Sequence, residues 1–200
     1  MKTIIKDTLI LTAITLIAGA LLGLVYEVTK TPIAKQKARA KEEAYMEVFK
    51  EADHFDTLSF DEEEMDAYLV EAGYPGQSVN EIMEAKSIDG KSLGYAYTVT
   101  SSEGYGGDII FSLGITNEGK LNGISILTIS ETAGLGMKAN TPEFKDKFKD
   151  KTVSEFTVIK GKATKEEDID ALSGATITSK AMVAGVNAGL KAFEHTKGGM

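Results

Sequence analysis

The stretch Asp170-Ala171-Leu172-Ser173-Gly174-Ala175-Thr176-Ile177-Thr178-Ser179-Lys180 joins a carboxylate, a run of small residues and several hydroxyls, then passes into an apolar helical pattern. A helix start offers unpaired N–H groups and a partial positive charge, so a phosphate beside Thr176 or Thr178 is favourably placed. Gly174 and Ala175 leave room for it. On the residues alone, a plain helix cap by Thr178 or Ser179 stands beside that reading. A threonine hydroxyl is a poor nucleophile, and the two histidines, His54 and His195, lie far from it in sequence. Covalent chemistry at Thr176 therefore requires a second enzyme. Neither histidine has a ligand-spaced neighbour, so no metal site is expected and both are placed at the surface. The absence of cysteine removes disulfides, thiolate nucleophiles and cysteine-ligated clusters.

Two further glycine-containing stretches can approach a ligand. Gly104-Tyr105-Gly106-Gly107 reads either as a bulge or as backbone beside a planar group with Tyr105 alongside. Glu131-Thr132-Ala133-Gly134-Leu135-Gly136-Met137-Lys138 has two glycines and no helical or strand period, which suits a loop presenting N–H groups.

The order Asp-x-x-Ser-Gly-Ala-Thr resembles the signal by which a flavin transferase attaches FMN, through its phosphate, to the final threonine, here Thr176. Together with residues 104–107, residues 131–136 and the apolar N-terminal segment, it makes nearly the whole chain resemble the G subunit of the Rnf electron-transport complexes. One departure is Ala133, where proline is common in that family. The C subunit of the sodium-pumping quinone reductase shares the flavin domain but is usually longer. The resemblance implies FMN held by a phosphoester to Thr176, with Asp170, Ser173, Gly174 and Ala175 as the segment the transferase recognises and Thr178 beside it. It further implies a flavin pocket with Glu131 and Thr132 as polar contacts, Leu135 against the ring system, Gly136 next to it, and Tyr105, Gly106 and Gly107 at its edge. No catalytic residue and no complete activity of its own are implied. The chain would be a redox relay coupling ferredoxin and NAD to movement of sodium ions or protons, with the other Rnf subunits, the flavin transferase and the lipid bilayer as partners. A quinone-reductase subunit, a stand-alone extracellular flavin domain and a flavin-free tethered binding module are the alternatives.

These loops must be held by elements whose outline is legible. A net charge of −8 and a pI near 4.9 argue against nucleic acid as a partner. Thr8 to Tyr26 are nineteen residues without a charge, roughly 28 Å as a helix, enough to cross a bilayer. A cleaved signal peptide ending near Ala18-Gly19-Ala20 competes, but the apolar run continues through Val25. The expected division is a membrane anchor over 1–28, an amphipathic connector helix over 29–56 and a flavin domain over 57–200. The lysines after the span favour a cytoplasmic domain by the positive-inside count, whereas the resemblance implies a single-pass protein of the cytoplasmic membrane with its domain outside. In that topology the basic cluster rests against anionic headgroups.

Thr31-Pro32 is expected to start or kink a second helical segment. Along it Ala34, Ala38, Tyr45, Val48, Phe49 and Ala52 share a face, for docking either on partner subunits or on the chain's own domain. Asp61-Glu62-Glu63-Glu64 lacks the spacing of a calcium loop and reads as a solvated face. After the Tyr74-Pro75-Gly76 turn, strands are predicted over 82–87 and around Leu93 to Val99, Ile109 to Ile115 and Leu121 to Ile129, forming a largely antiparallel sheet. Thr141-Pro142 is expected to cap a short helix with Phe144 and Phe148 in the core, 153–159 to add a strand, and 161–168 to form a charged, mobile approach. A last helix carrying Val183, Val186, Leu190 and Phe193 on one face should stop before Gly198-Gly199. The fold class is α+β: an N-terminal transmembrane helix, then a largely antiparallel sheet with flanking helices.

Overall fold

A computed structural model describes residues 1–198, in two compact units, one through Ala40 and one from Lys41 onward. Helix α1, Lys2–Val48, carries a stretch long and apolar enough to cross a membrane, none of it buried within the protein. It runs unbroken through Pro32. The second helical segment expected there does not begin, because one missing N–H costs a single bond in a helix of 47 residues. Within the expected connector, the helix ends at Val48 and His54–Leu58 is already strand β1. Of the expected apolar face, Tyr45, Val48, Phe49 and Ala52 are buried, whereas Ala34 and Ala38 are exposed.

The second unit is built on a five-stranded antiparallel meander in the order β1-β2-β3-β4-β5, with β2 Gln77–Lys86, β3 Ser92–Ser101, β4 Ile109–Thr116 and β5 Leu121–Thr128. Period-2 alternation sends Tyr97, Val99, Phe111 and Leu113 to one face, where helices α2 (Glu62–Glu71) and α4 (Thr176–Gly198) cover them. The other face is narrower and receives the last turns of α1, with Tyr45, Val48 and Phe49 over Ala85 and Ala96.

A row of polar residues crosses that second face in register: Glu81 opposite Thr98, Thr98 opposite Ser112, Ser112 opposite Ser125. Lys41 and the Tyr45 hydroxyl each donate to Glu81 at 2.6 Å, and Tyr45 lies 2.8 Å from the Thr98 hydroxyl. At the far end Ser125 donates to Glu47, whose other oxygen accepts from Lys145 at 2.8 Å. Burial raises the Tyr45 hydroxyl above its ordinary pKa, and the Glu81 carboxylate raises it further. Burial opposes ionisation of Glu81, but the bonds from Lys41 and Tyr45 outweigh it and hold that carboxyl below its usual range.

On the broad face α4 lies unusually close to the sheet. A Cβ at Gly185 would fall 2.8 Å from Phe111 Cζ, and one at Gly189 would fall 2.5 Å from Leu113 Cδ1. These two glycines, one turn apart, let the helix bed onto β4.

The acidic run begins α2 and is not merely a solvated face: Asp61 is the N-cap, accepting from the Glu64 amide at 3.0 Å, and the three glutamates occupy the first turn. Asp61→Ala should therefore cost about 1 kcal/mol in chemical denaturation while leaving flavin content unchanged. Helix α3, Pro142–Lys145, starts where expected, but the Thr141 hydroxyl donates back to the Lys138 carbonyl and does not cap it. Phe144 and Phe148 are buried with ring centroids 5.6 Å apart. The strand expected over 153–159 is confined to β6, Thr157–Ile159, and pairs in parallel with β7, Asp168–Asp170, which begins at the last residue of the stretch expected to be mobile. Helix α4 continues through Gly198; Gly199 lies outside the described residues.

Candidate functional site

A cleft of about 570 Å³ lies between the loop that follows β5 and the start of α4. Tyr105, Glu131, Thr132, Leu135 and Gly136 line one side, and Gly174, Ala175, Thr176, Ile177 and Thr178 the other. Three large apolar side chains stand exposed around it, Tyr105 at 71%, Ile177 at 52% and Leu135 at 42%. The α4 start is shaped by its sequence. The Ala175 amide donates to the Leu172 carbonyl at 2.9 Å, closing a tight turn in which Gly174 has φ +75°, a conformation that suits glycine. Without a Cβ at Gly174, Leu135 closes over that turn from the opposite loop. The Ser179 hydroxyl accepts from the Leu172 amide at 2.8 Å and donates to the Ala175 carbonyl, locking turn to helix.

Thr176 is consequently the first residue of α4, half-buried and facing the cleft, with the unpaired amides of the first turn around it. This corrects the expectation that Thr178 caps a helix beginning after it. Thr178 sits inside the first turn, 1% exposed, packed against Gly136, where a Cβ would fall 2.7 Å from its hydroxyl. Glu131 is buried and ties the two glycine loops together, its Oε1 accepting from the amides of Tyr105 at 2.8 Å and Gly106 at 3.3 Å. Gly106 and Gly107 themselves lie outside the cleft lining and serve the loop. Asp170 and Ser173 also lie outside it; they line a neighbouring cavity of about 320 Å³ with Lys138 and Lys147. Asp170 there accepts from the Ala163 amide, and Lys147 donates to its backbone carbonyl at 3.2 Å. The turn at 172–175 separates the two halves of the motif onto opposite sides. Ile177 is a lining residue that the motif does not point to; its signal is that it falls off the Val183–Val186–Leu190–Phe193 stripe and so cannot belong to the core.

The geometry is that of a ligand cleft, and comparison with known proteins gives it a family. Residues 1–48 match the RnfG N-terminal region and residues 104–191 the FMN-binding domain. The G subunit of the Na(+)-translocating ferredoxin:NAD(+) oxidoreductase complex of Acetobacterium woodii is 32% identical over 196 residues, spanning 97% of this chain and 93% of that protein. The chain belongs to the RnfG family. The G subunit of the proton-translocating ferredoxin:NAD(+) oxidoreductase complex of Clostridium ljungdahlii is 30% identical, over 94% of this chain and 91% of that one. The crystal structure of Shewanella oneidensis NqrC aligns with TM-score 0.49 and 17% identity, over 59% of this chain and 61% of that one.

As a member of the RnfG family the chain carries an FMN-binding domain, and the cleft falls within the matched residues. Its volume is in the range of small-molecule and cofactor pockets, its exposed apolar rim suits a planar ring system, and a helix start with a hydroxyl suits a phosphate. The residues present therefore fit FMN. Glu131→Ala leaves two amides without their acceptor and should lower stability by about 2–3 kcal/mol and loosen the Tyr105 loop. Glu131→Gln keeps one acceptor and should cost less than half of that. Denaturation together with exchange protection of the Tyr105 and Gly106 amides reads both.

Proposed function

We propose that this RnfG-family chain is the FMN-carrying electron-relay subunit of an ion-translocating ferredoxin:NAD oxidoreductase complex, and that FMN is bound covalently through its phosphate to Thr176. The observation that carries the site assignment is the position of Thr176: it is the first residue of α4, and its side chain lines a cleft that also holds Tyr105, Leu135 and Ile177. Flavin, when bound, supplies electron transfer singly or in pairs, which suits a relay between carriers of different electron number.

The chain's own residues bind, orient and charge-balance. Thr176 Oγ1 provides the acceptor oxygen. With FAD supplied by a flavin transferase, Thr176 Oγ1 would bond to the FMN phosphorus as the pyrophosphate bond breaks, releasing AMP and the hydroxyl proton. The first-turn amides of α4 stabilise the single negative charge of the resulting diester. Tyr105, Leu135 and Ile177 provide the apolar contact for the rings, and Glu131 and Thr132 the polar edge. Asp170 and Ser173, on the far side of the turn, form the segment the transferase reads. Co-expression with a flavin transferase should give a chain that remains fluorescent in a denaturing gel; a chain that loses all flavin on denaturation overturns covalent attachment.

Helix α1 anchors the protein once in the cytoplasmic membrane, with the flavin domain outside. Protease added to intact spheroplasts should digest the domain after residue 41 and leave a membrane-embedded N-terminal fragment. Protection until lysis would place the domain in the cytoplasm, as the lysine count alone suggests.

A further inference from the structure

We infer that Lys30, Lys35 and Lys37 form a collar that binds the headgroups of anionic phospholipids around α1. Between Glu27 and Glu42 the chain has five basic residues and no acidic one, although its net charge is −8. Lys41 is engaged with Glu81 of the second unit. Lys30, Lys35 and Lys37 are all exposed, on a helix that continues without a break from the apolar stretch.

Three features of that helix match a lipid headgroup layer. The first is depth. Tyr26 ends the uncharged run, so Lys30 follows it by roughly 6 Å and Lys37 by roughly 16 Å along the axis. The headgroup layer occupies the first several ångströms beyond the hydrocarbon, where Lys30 lies, and their four-carbon stems bring the ammonium groups of Lys35 and Lys37 within a Debye length of its charge. The second is direction. Cα–Cβ bonds in a helix tilt toward its N-terminus, which here is toward the apolar span. Lys30 shows this reach: its ammonium lies 5.9 Å from the centroid of the Tyr26 ring, one turn back. The third is distribution. At 3.6 residues per turn, Lys30 and Lys37 share a side and Lys35 lies roughly 140° round from them. A helix lying flat on a membrane needs its charges on one face, whereas a helix passing upright through the headgroups meets lipid phosphates on all sides.

The inference rests on α1 crossing the bilayer and is independent of the flavin. The full-length chain, reconstituted in phosphatidylcholine bilayers with a trace of spin-labelled lipid, tests it. Spin-labelled phosphatidylglycerol should associate with the protein several-fold more strongly than spin-labelled phosphatidylcholine, each lysine contributing up to about fivefold. The preference should collapse in Lys30→Gln/Lys35→Gln/Lys37→Gln, and for the native chain in about 1 M salt, where screening shortens to about 3 Å. Equal association of the two lipids with the native chain, or a preference that survives the triple substitution, overturns the collar. A triple variant that keeps the lipid preference but no longer copurifies with other membrane subunits also overturns it, and assigns the lysines to an acidic protein surface. Extraction of the native chain by alkaline carbonate would refute the membrane span itself, and the collar with it, leaving the flavin assignment standing.

Discussion

Thr176→Ala is expected to abolish covalently held flavin completely while changing stability by no more than about 0.5 kcal/mol. Both halves follow from position. Thr176 is the acceptor oxygen in the proposed attachment, but as a half-buried residue at the first position of α4 it supplies neither a cap nor a core contact. The structural work at this helix start is done by Ser179 and by the turn through Gly174. Thr176→Ser preserves a hydroxyl and should be modified weakly, a graded outcome that a purely conformational role for threonine would not give. Thr178→Val removes a hydroxyl that sits against Gly136 and keeps its volume, so flavin should remain. Gel fluorescence and denaturation on the same four proteins separate these expectations.

The largest loss of stability is expected at the contact between α4 and the sheet. Phe111 is fully buried and lies directly beneath Gly185. Phe111→Ala should cost about 3–5 kcal/mol, a large part of the total stability of a domain this size. Gly185→Val places a side chain where Phe111 stands 2.8 Å from the new Cβ and should cost about 1–3 kcal/mol by overpacking. In the double variant the valine enters the space the phenyl ring has left, so the two costs should fall short of additivity by about 1–2 kcal/mol. Strict additivity in urea denaturation of the four proteins would mean that the helix does not bed on Phe111 through Gly185.

The strands and loops of this fold are readable in the sequence because they carry local signals. The alternation of Tyr95, Tyr97 and Val99 and the Asp89-Gly90 turn specify the β2–β3 hairpin without reference to the rest of the chain. The two glycine loops and the α4 start can be named as site elements for the same reason. Features that depend on distant partners are not readable in this way. The strand β7 has three residues and exists because β6 lies beside it, and β1 is ordered by pairing with β2. Asp61 reads as solvated until the helix behind it is known, since only then can a cap be recognised. Thr178 reads as a cap when the helix start is placed three residues late; the turn that fixes the start is closed by Ser179 from inside the helix. The division of the motif between two cavities, with Asp170 and Ser173 on one side and Thr176 on the other, follows from the turn at 172–175 and has no signature in residue order.

The proposed attachment of flavin to Thr176 can be mapped directly on a single peptide. Trypsin should release residues 166–180 as one peptide, bounded by Lys165 and Lys180. From protein matured with the flavin transferase, that peptide should carry the mass of FMN less one water, and fragmentation should place it on Thr176. The same adduct on Thr178 or Ser173, or an unmodified peptide from membranes that contain the transferase, would contradict the assignment.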